Sequence, residues 1–115
     1  MNKSQIICLN WNSICVAKLL LFKNHYYFQI IPQNIELAKK ENCPVNFLYY
    51  KNSIKYVSIH NKIPFIFNQF NINDNRFDLL KKYNIQENDN DFVRLCKVAQ
   101  AKEKSINEFW ISLSI

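Results

Sequence analysis

Residues 5–31 read QIICLNWNSICVAKLLLFKNHYYFQII, and this stretch decides the fold. Its apolar segments are rich in branched and aromatic residues, which favour the pleated surface of a β-sheet. These segments are residues 5–11, 14–22 and 26–31. Asn12-Ser13 and Lys23-Asn24-His25 separate them, and short polar breaks of this kind are typical of hairpin turns. We therefore predict an antiparallel meander of three strands.

After the meander, the chain predicts a short helix and then two more strands. Pro32 ends the third strand, and Asn34 can cap a helix that extends to about Glu41. Strands are predicted at residues 45–50 and 54–59, on either side of a polar turn signal.

The second half of the chain changes to a helical period. Pro64 is predicted to start a short helix over residues 65–70, since its fixed φ suits a first helical position. A second helix, capped by Asn73 or Asp74, is predicted to reach Tyr83. Its inner stripe is Phe77, Leu80 and Tyr83.

A third helix and a last strand complete the predicted elements. Asn88 or Asp89 is predicted to cap this helix. Its buried face follows the spacing i, i+3, i+4, i+7 and consists of Phe92, Leu95, Cys96 and Ala99. Phe109, Ile111 and Leu113 alternate with polar or exposed positions in the closing strand.

Strands followed by helices indicate an α+β fold, an antiparallel sheet with short helices packed on it. The chain has 115 residues, of which 49% are hydrophobic, so it can build one core. We find no internal repeat and no low-complexity linker. We therefore predict a single domain over residues 1–115.

The composition excludes several kinds of site. The chain has no glycine, and P-loops and Rossmann turns need glycine where the backbone approaches phosphate. Tight turns must then use asparagine, which tolerates positive φ better than other residues with a side chain. The formal net charge of +6 can favour nucleic acid or an acidic protein partner, but the lysines are scattered.

The cysteines are Cys8, Cys15, Cys43 and Cys96. None forms a CxxC pair, and none has metal-ligand spacing to His25 or His60, so we interpret them as reduced thiols in a protein without a metal. The first seven residues lack the pattern of a signal peptide, and the longest apolar run, at 19–22, is too short for a membrane span. We expect a cytoplasmic protein that does not bind membranes.

The carboxylates predict helix starts rather than catalysis. Asp89 and Asp91 lie near Glu87, and Asp74 lies near Asp78, all where helices are predicted to begin. Negative charge at those positions complements the backbone dipole. Since no feature joins a histidine to a nucleophile, we expect no enzyme and no cofactor.

The most informative stretch for function is residues 63–73, IPFIFNQFNIN, which we call the Phe-rich connector. A short helix cannot bury apolar residues on every side, and exposed apolar clusters often mark interaction sites. The alternative is a connector that fills the domain's own core. The candidate partner-binding residues are Pro64, Phe65, Phe67, Gln69 and Phe70.

The order of these elements resembles the N-terminal subdomain of HipA-type serine/threonine kinases. The shared features are a proline-led helix with a leucine, a strand opened by proline, a Pro-Phe turn of helix, a Leu-Leu-x-x-Tyr helix end and an Asn-Asp-x-Phe-like helix. In this chain they are residues 32–37, 44–50, 63–70, 79–83 and 90–96. The chain departs from the family at 71–74, which read NIND where the family has a Leu-Pro-Glu-Gly-like turn, and in lacking the family's glycines.

The resemblance implies a function without catalysis, since the kinase body is absent. A freestanding lobe of this kind is similar to the HipS-like small subunits of three-part HipBST toxin–antitoxin systems. Such a subunit binds and neutralises a HipT-like kinase, with a HipB-like DNA-binding protein as a third component. The family places the inhibitory contact on an aromatic residue of the Pro-Phe segment, where this chain has Phe65, Phe67 and Phe70.

Two alternatives remain open at the level of sequence. One is a small basic nucleic-acid-binding protein, which would use aromatic and basic residues on one face. The residues that could supply such a face are Tyr26, Phe28, Tyr49, Lys55 and Tyr56. Aromatic residues on strands more often build the core, so we do not expect direct nucleic-acid contact. The other alternative is a mobile-element inhibitor of a different host enzyme.

Overall fold

The elements follow one another as strands first and mostly helices later. A computed structural model describes residues 5–45 and 57–114. In chain order the elements are β1 (Ile6–Trp11), β2 (Ile14–Phe22), β3 (His25–Ile30), α1 (Pro32–Lys39), β4 (Val57–His60), α2 (Phe65–Asn68), α3 (Phe77–Lys82), α4 (Asp91–Gln100) and β5 (Phe109–Leu113). Within the described ranges the strands form one antiparallel sheet in the order β4-β3-β2-β1-β5. The fold is thus α+β, as the sequence predicts.

The meander of β1, β2 and β3 is confirmed, with strand ends within one residue of the predicted ones. Its turns depend on asparagine. Asn12 has φ 53° and Asn24 has φ 65°. Of the seven non-glycine residues with positive φ in the described part of the chain, five are asparagines. Asparagine therefore replaces the missing glycines, because its short polar side chain reduces the cost of the left-handed conformation.

The helices cover one face of the sheet and build the core against it. Side chains alternate along a strand, so Ile7 and Leu9 of β1 point to one face and Cys8 points to the other. Ile7 pairs with Leu19 of β2, which pairs with Phe28 of β3, and all three belong to the core. We call this helix-covered side the inner face. The helical residues packed into the same core are Ile35, Ala38, Ile66, Phe67, Phe92, Leu95, Cys96 and Ala99.

Helix α1 starts two residues earlier than the predicted cap. Pro32 is the first helical residue, and Ile31 is the N-cap without a side-chain hydrogen bond. Asn34, predicted to be the cap, lies inside the helix and its Nδ2 donates to the Cys15 carbonyl at 2.8 Å. The fixed φ of proline suits the first turn, so Pro32 initiates the helix and Asn34 fastens it to β2.

Helix α3 differs most from its prediction. It begins at Phe77 after Arg76, and neither Asn73 nor Asp74 caps it. Phe77 was expected on the inner stripe but is 77% exposed, while Leu80 and Tyr83 are half-buried. Ile85 is buried behind the turn at Asn84, and its backbone N donates to the Leu80 carbonyl at 2.8 Å, which closes the helix end.

Helix α4 has the predicted buried face of Phe92, Leu95, Cys96 and Ala99, but its cap is Asn90 rather than Asn88 or Asp89. The Asn90 Oδ1 accepts from the Val93 backbone N at 2.9 Å. Asp89 instead accepts from Lys97 Nζ at 2.5 Å and from the Gln86 backbone N at 2.8 Å. These contacts hold the loop before the helix.

Replacement of Asn90 by alanine is expected to lower the free energy of unfolding by about 1 kcal/mol, since the Val93 N–H loses its partner. Equilibrium unfolding in urea measures this loss. Asn88→Ala is the matched control, because Asn88 is exposed and does not cap the helix. An equal loss in both variants would contradict the assignment of the cap.

Two predicted strands include residues of the range 46–56, which the structure does not describe. The strand at 45–50 lies outside the described residues except for Val45. The strand predicted at 54–59 is seen from its later part as β4, Val57–His60, which pairs with β3. Within the described ranges, no helix is both long and apolar enough to cross a bilayer.

Candidate protein-docking site

The Phe-rich connector begins with a tight helical turn that Pro64 sets. Pro64 has φ −57° and ψ 142°, the geometry of an extended residue entering a helix. Its carbonyl oxygen accepts from the backbone N of Phe67 and of Asn68, both at 2.9 Å. Because proline fixes φ, this turn is largely set by the sequence.

The turn places two of its apolar residues in the interior and one in the solvent. Ile66 and Phe67 are buried, and the Phe67 ring meets Phe28 of the sheet edge-on, with 5.7 Å between ring centroids. Phe65 is 82% exposed. Successive helical residues point about 100° apart, so a single turn can place one neighbour in the core and the other in water. The connector therefore fills the core with Ile66 and Phe67 and leaves Phe65 exposed, which keeps Phe65 as the candidate for a partner contact.

The predicted binding residues do not share one environment. Pro64 and Phe67 lie in the interior and are covered by the chain itself. Gln69 is exposed, and its Nε2 donates to the Ile66 carbonyl at 2.7 Å. Phe70 is half-buried and packs against the core. The surface open to a partner is thus Phe65 with Gln69 and part of Phe70.

Two cavities take part of their walls from this segment. One, of about 370 Å³, is lined by Tyr26, Asn61, Lys62, Ile63, Asn68 and Asp91. The other, of about 290 Å³, has Phe70 in its wall together with Ile72, Tyr83, Val98 and Phe109. Both are open to solvent and large enough for one side chain of a partner. The connector contributes Ile63 and Asn68 to the first cavity and Phe70 and Ile72 to the second.

The second cavity has one acidic group held ionised at its rim. Glu103 accepts hydrogen bonds from Tyr83 Oη and from Lys82 Nζ, the latter at 2.9 Å. These bonds lower the pKa of Glu103. Burial and the neighbouring Glu103 raise the pKa of Tyr83, so its phenol stays protonated and keeps donating. The negative charge of Glu103 is therefore paired, and Glu108 adds a second carboxylate to the lining of this cavity.

Arg94 fixes the end of the connector to the start of α4, and sequence reasoning missed it. It is 7% exposed, and its guanidinium donates to three backbone carbonyls: Ile72 at 3.3 Å, Glu87 at 3.3 Å and Asp89 at 3.1 Å. It also contacts Asp74 Oδ1 at 2.8 Å. The only sequence signal was an arginine placed between the apolar positions of a buried helix face.

The Ser58–His60 pair on β4 was also missed, because nothing but the i, i+2 spacing marks it. The Ser58 Oγ and the His60 Nε2 are 2.7 Å apart, and burial lowers the pKa of His60. The His60 ring meets Phe28 edge-on at 6.4 Å. We interpret this bond as part of the packing of β4.

The carboxylates serve the fold, though not always as predicted. Asp78 and Asp91 lie in the first turns of α3 and α4, where they complement the helix dipole. Asp74 and Asp89 pair with Arg94 and Lys97 instead. Across residues 5–45 and 57–114, no three metal-ligating side chains come together.

Comparison of this chain with models of protein families, with curated proteins and with solved structures finds no match. The class that the structure itself defines is an α+β domain, in which residues 5–45 and 57–114 form a five-stranded antiparallel sheet and a few short helices.

Proposed function

We propose that this chain is a non-enzymatic binding protein that neutralises a HipT-like serine/threonine kinase, with Phe65 as its anchor. The observation that carries the proposal is the 82% exposure of the Phe65 ring on a helical turn whose next two residues are fixed in the core. The HipA-like order of elements supplies the class of partner.

The rigidity of the turn distinguishes Phe65 from other exposed phenylalanines. Single exposed apolar residues are common on protein surfaces and need no function. Phe77 is similarly exposed, at 77%, but none of the residues of its helix α3 is buried. Phe65 is followed by buried Ile66 and Phe67, so its backbone is held in place before a partner arrives. An anchor fixed in advance loses less entropy on binding.

An aromatic anchor suits a partner with a deep apolar pocket, such as the active-site cleft of a kinase. A ring that becomes fully desolvated in such a pocket is a common source of binding energy. The net charge of +6 favours approach to an acidic surface and increases the association rate more than the final affinity. A HipB-like DNA-binding protein would then complete a ternary complex without direct contact between this chain and DNA.

The proposal predicts that a HipT-like kinase is encoded next to this chain, and a kinase assay with that protein is the test. We expect an equimolar amount of the chain to suppress autophosphorylation. The matched control is a full-length HipA-type kinase, which already carries its own N-terminal lobe and is expected to be unaffected. Unchanged phosphorylation by the HipT-like kinase would contradict the proposal. If the chain instead bound DNA or RNA with a steep salt dependence, the nucleic-acid alternative would replace it.

A further inference from the structure

The sheet has a second face, opposite the inner face, which we call the outer face. A row of apolar side chains crosses four strands on it. Ile6 of β1 pairs with Leu20 of β2, and Leu20 pairs with Tyr27 of β3. Tyr27 in turn pairs with Ile59 of β4. Side chains alternate along a strand, and the residues next to this row that point to the inner face are Ile7, Leu19, Phe28 and His60.

This row lies in an exposed apolar patch. Ile59 is 59% exposed, and the other three members of the row are half-buried. Phe22 and Val57 are exposed on the same face, and the Phe22 ring centroid is 6.4 Å from that of Tyr27. Among the described residues seven large hydrophobic side chains are exposed, and three of them belong to this patch. Exposed apolar residues that cluster in this way mark an interaction surface, whereas single ones do not.

The charged groups at the two ends of the patch are lysines. Lys18 precedes Leu20 by two residues on β2, so it lies on the same face beside the row. At the other end, Lys23 Nζ is 5.3 Å from the centroid of the Phe22 ring. The five described strands contain none of the chain's nine aspartates and glutamates. A complementary surface therefore has an apolar centre with carboxylates on both sides.

The same charges argue against two other occupants. Two copies of this chain would bring together two outer faces without carboxylates, and each copy has a net charge of +6. Single-stranded nucleic acid is bound by aromatic rings that stack on successive bases within a groove of cations. Here the row has one ring, that of Tyr27, among three aliphatic side chains. An amphipathic helix with acidic flanks matches both the aliphatic row and the lysines.

We propose that the outer face docks an amphipathic helix of another protein, with an apolar stripe flanked by aspartate and glutamate. The row crosses four strands about 4.8 Å apart and so is about 14 Å long. A helix of about ten residues has this length. Its apolar residues would contact the row, and its carboxylates would contact Lys18 and Lys23. Because α2 packs on the inner face through Phe67, this site is separate from the Phe65 contact.

Binding of a designed helical peptide, followed by fluorescence anisotropy, tests the proposal. The acidic probe has about 18 residues, which extends about one turn beyond the row at each end. It carries leucine at the spacing i, i+3, i+4, i+7 and glutamate beside these positions. The basic probe has lysine in place of every glutamate. We expect the full chain to bind the acidic probe at least about 10-fold more tightly, by a margin that decreases as salt is added.

Two pairs of variants separate docking on the outer face from general attraction to a basic protein. Ile59→Ser is expected to weaken binding of the acidic probe about 10-fold, since an apolar contact is lost. Its matched control is Leu37→Ser, because Leu37 is 50% exposed on α1. Lys18→Glu is expected to remove the preference for the acidic probe. Lys40→Glu changes the net charge equally at the end of α1 and is expected to keep it.

Three results would overturn the proposal. The first is equal affinity for the two probes or no binding of either, and the second is an equal effect of each variant and its control. The third is another occupant, seen as a dimer of the free chain or as oligonucleotide binding that Ile59→Ser abolishes. Phe65→Ala is expected to bind the acidic probe as wild type does, so the outcome does not depend on the kinase proposal.

Discussion

Replacement of Phe67 by alanine is expected to lower the free energy of unfolding by about 3–5 kcal/mol. Phe67 is 0% exposed and packs edge-on against Phe28 on the inner face. Removing the ring loses its contacts and leaves a cavity, because α2 is a short turn held between Pro64 and the core. Small domains have a total stability of only about 5–15 kcal/mol, so the loss is a large share of it.

Urea unfolding of the purified variants measures this effect. Phe65→Ala is the matched control, since it removes the same ring from the same helix at an exposed position. Exposed substitutions usually change stability by less than about 0.5 kcal/mol. A Phe67→Ala protein as stable as wild type would show that the connector does not pack on the sheet in solution.

The three strands of the meander were predictable from sequence because their signals are local. Residues 5–31 alternate apolar segments with Asn-containing breaks, and each break became a turn with Asn12 or Asn24 at positive φ. The spacing of Phe92, Leu95 and Ala99 likewise fixed the buried face of α4 without reference to the rest of the chain. A helix of two or more turns has enough apolar positions for their spacing to show which face is buried.

The helix caps were not predictable because several capping residues lie side by side. Asn88, Asp89 and Asn90 can all cap a helix, and only the tertiary contact of Asp89 with Lys97 leaves Asn90 as the cap. In the same way, Asp74 forms an ion pair with Arg94 and does not cap α3, which starts later than expected. These outcomes depend on which side chains meet across the fold.

The sequence singled out the Phe-rich connector but not which of its phenylalanines is exposed. A helix of four residues has too few positions for a period, so nothing in the sequence distinguished Phe65 from Phe67.

Replacement of Phe65 by alanine is expected to weaken binding to the HipT-like kinase by at least about 2 kcal/mol, roughly 30-fold in the dissociation constant. The ring is the most exposed of the connector's phenylalanines, and its backbone is anchored by buried neighbours. Truncation removes the contact surface without disturbing the fold. The loss should therefore appear in the dissociation rate rather than in stability or in association.

Isothermal titration of the HipT-like kinase with the wild-type chain, Phe65→Ala and Phe77→Ala tests the central claim most directly. Phe77 is a fair control because its ring is exposed to a similar degree on a different helix. Our account predicts tight binding by wild type and by Phe77→Ala, with a loss of about 30-fold or more for Phe65→Ala. Equal affinities for wild type and Phe65→Ala would contradict it.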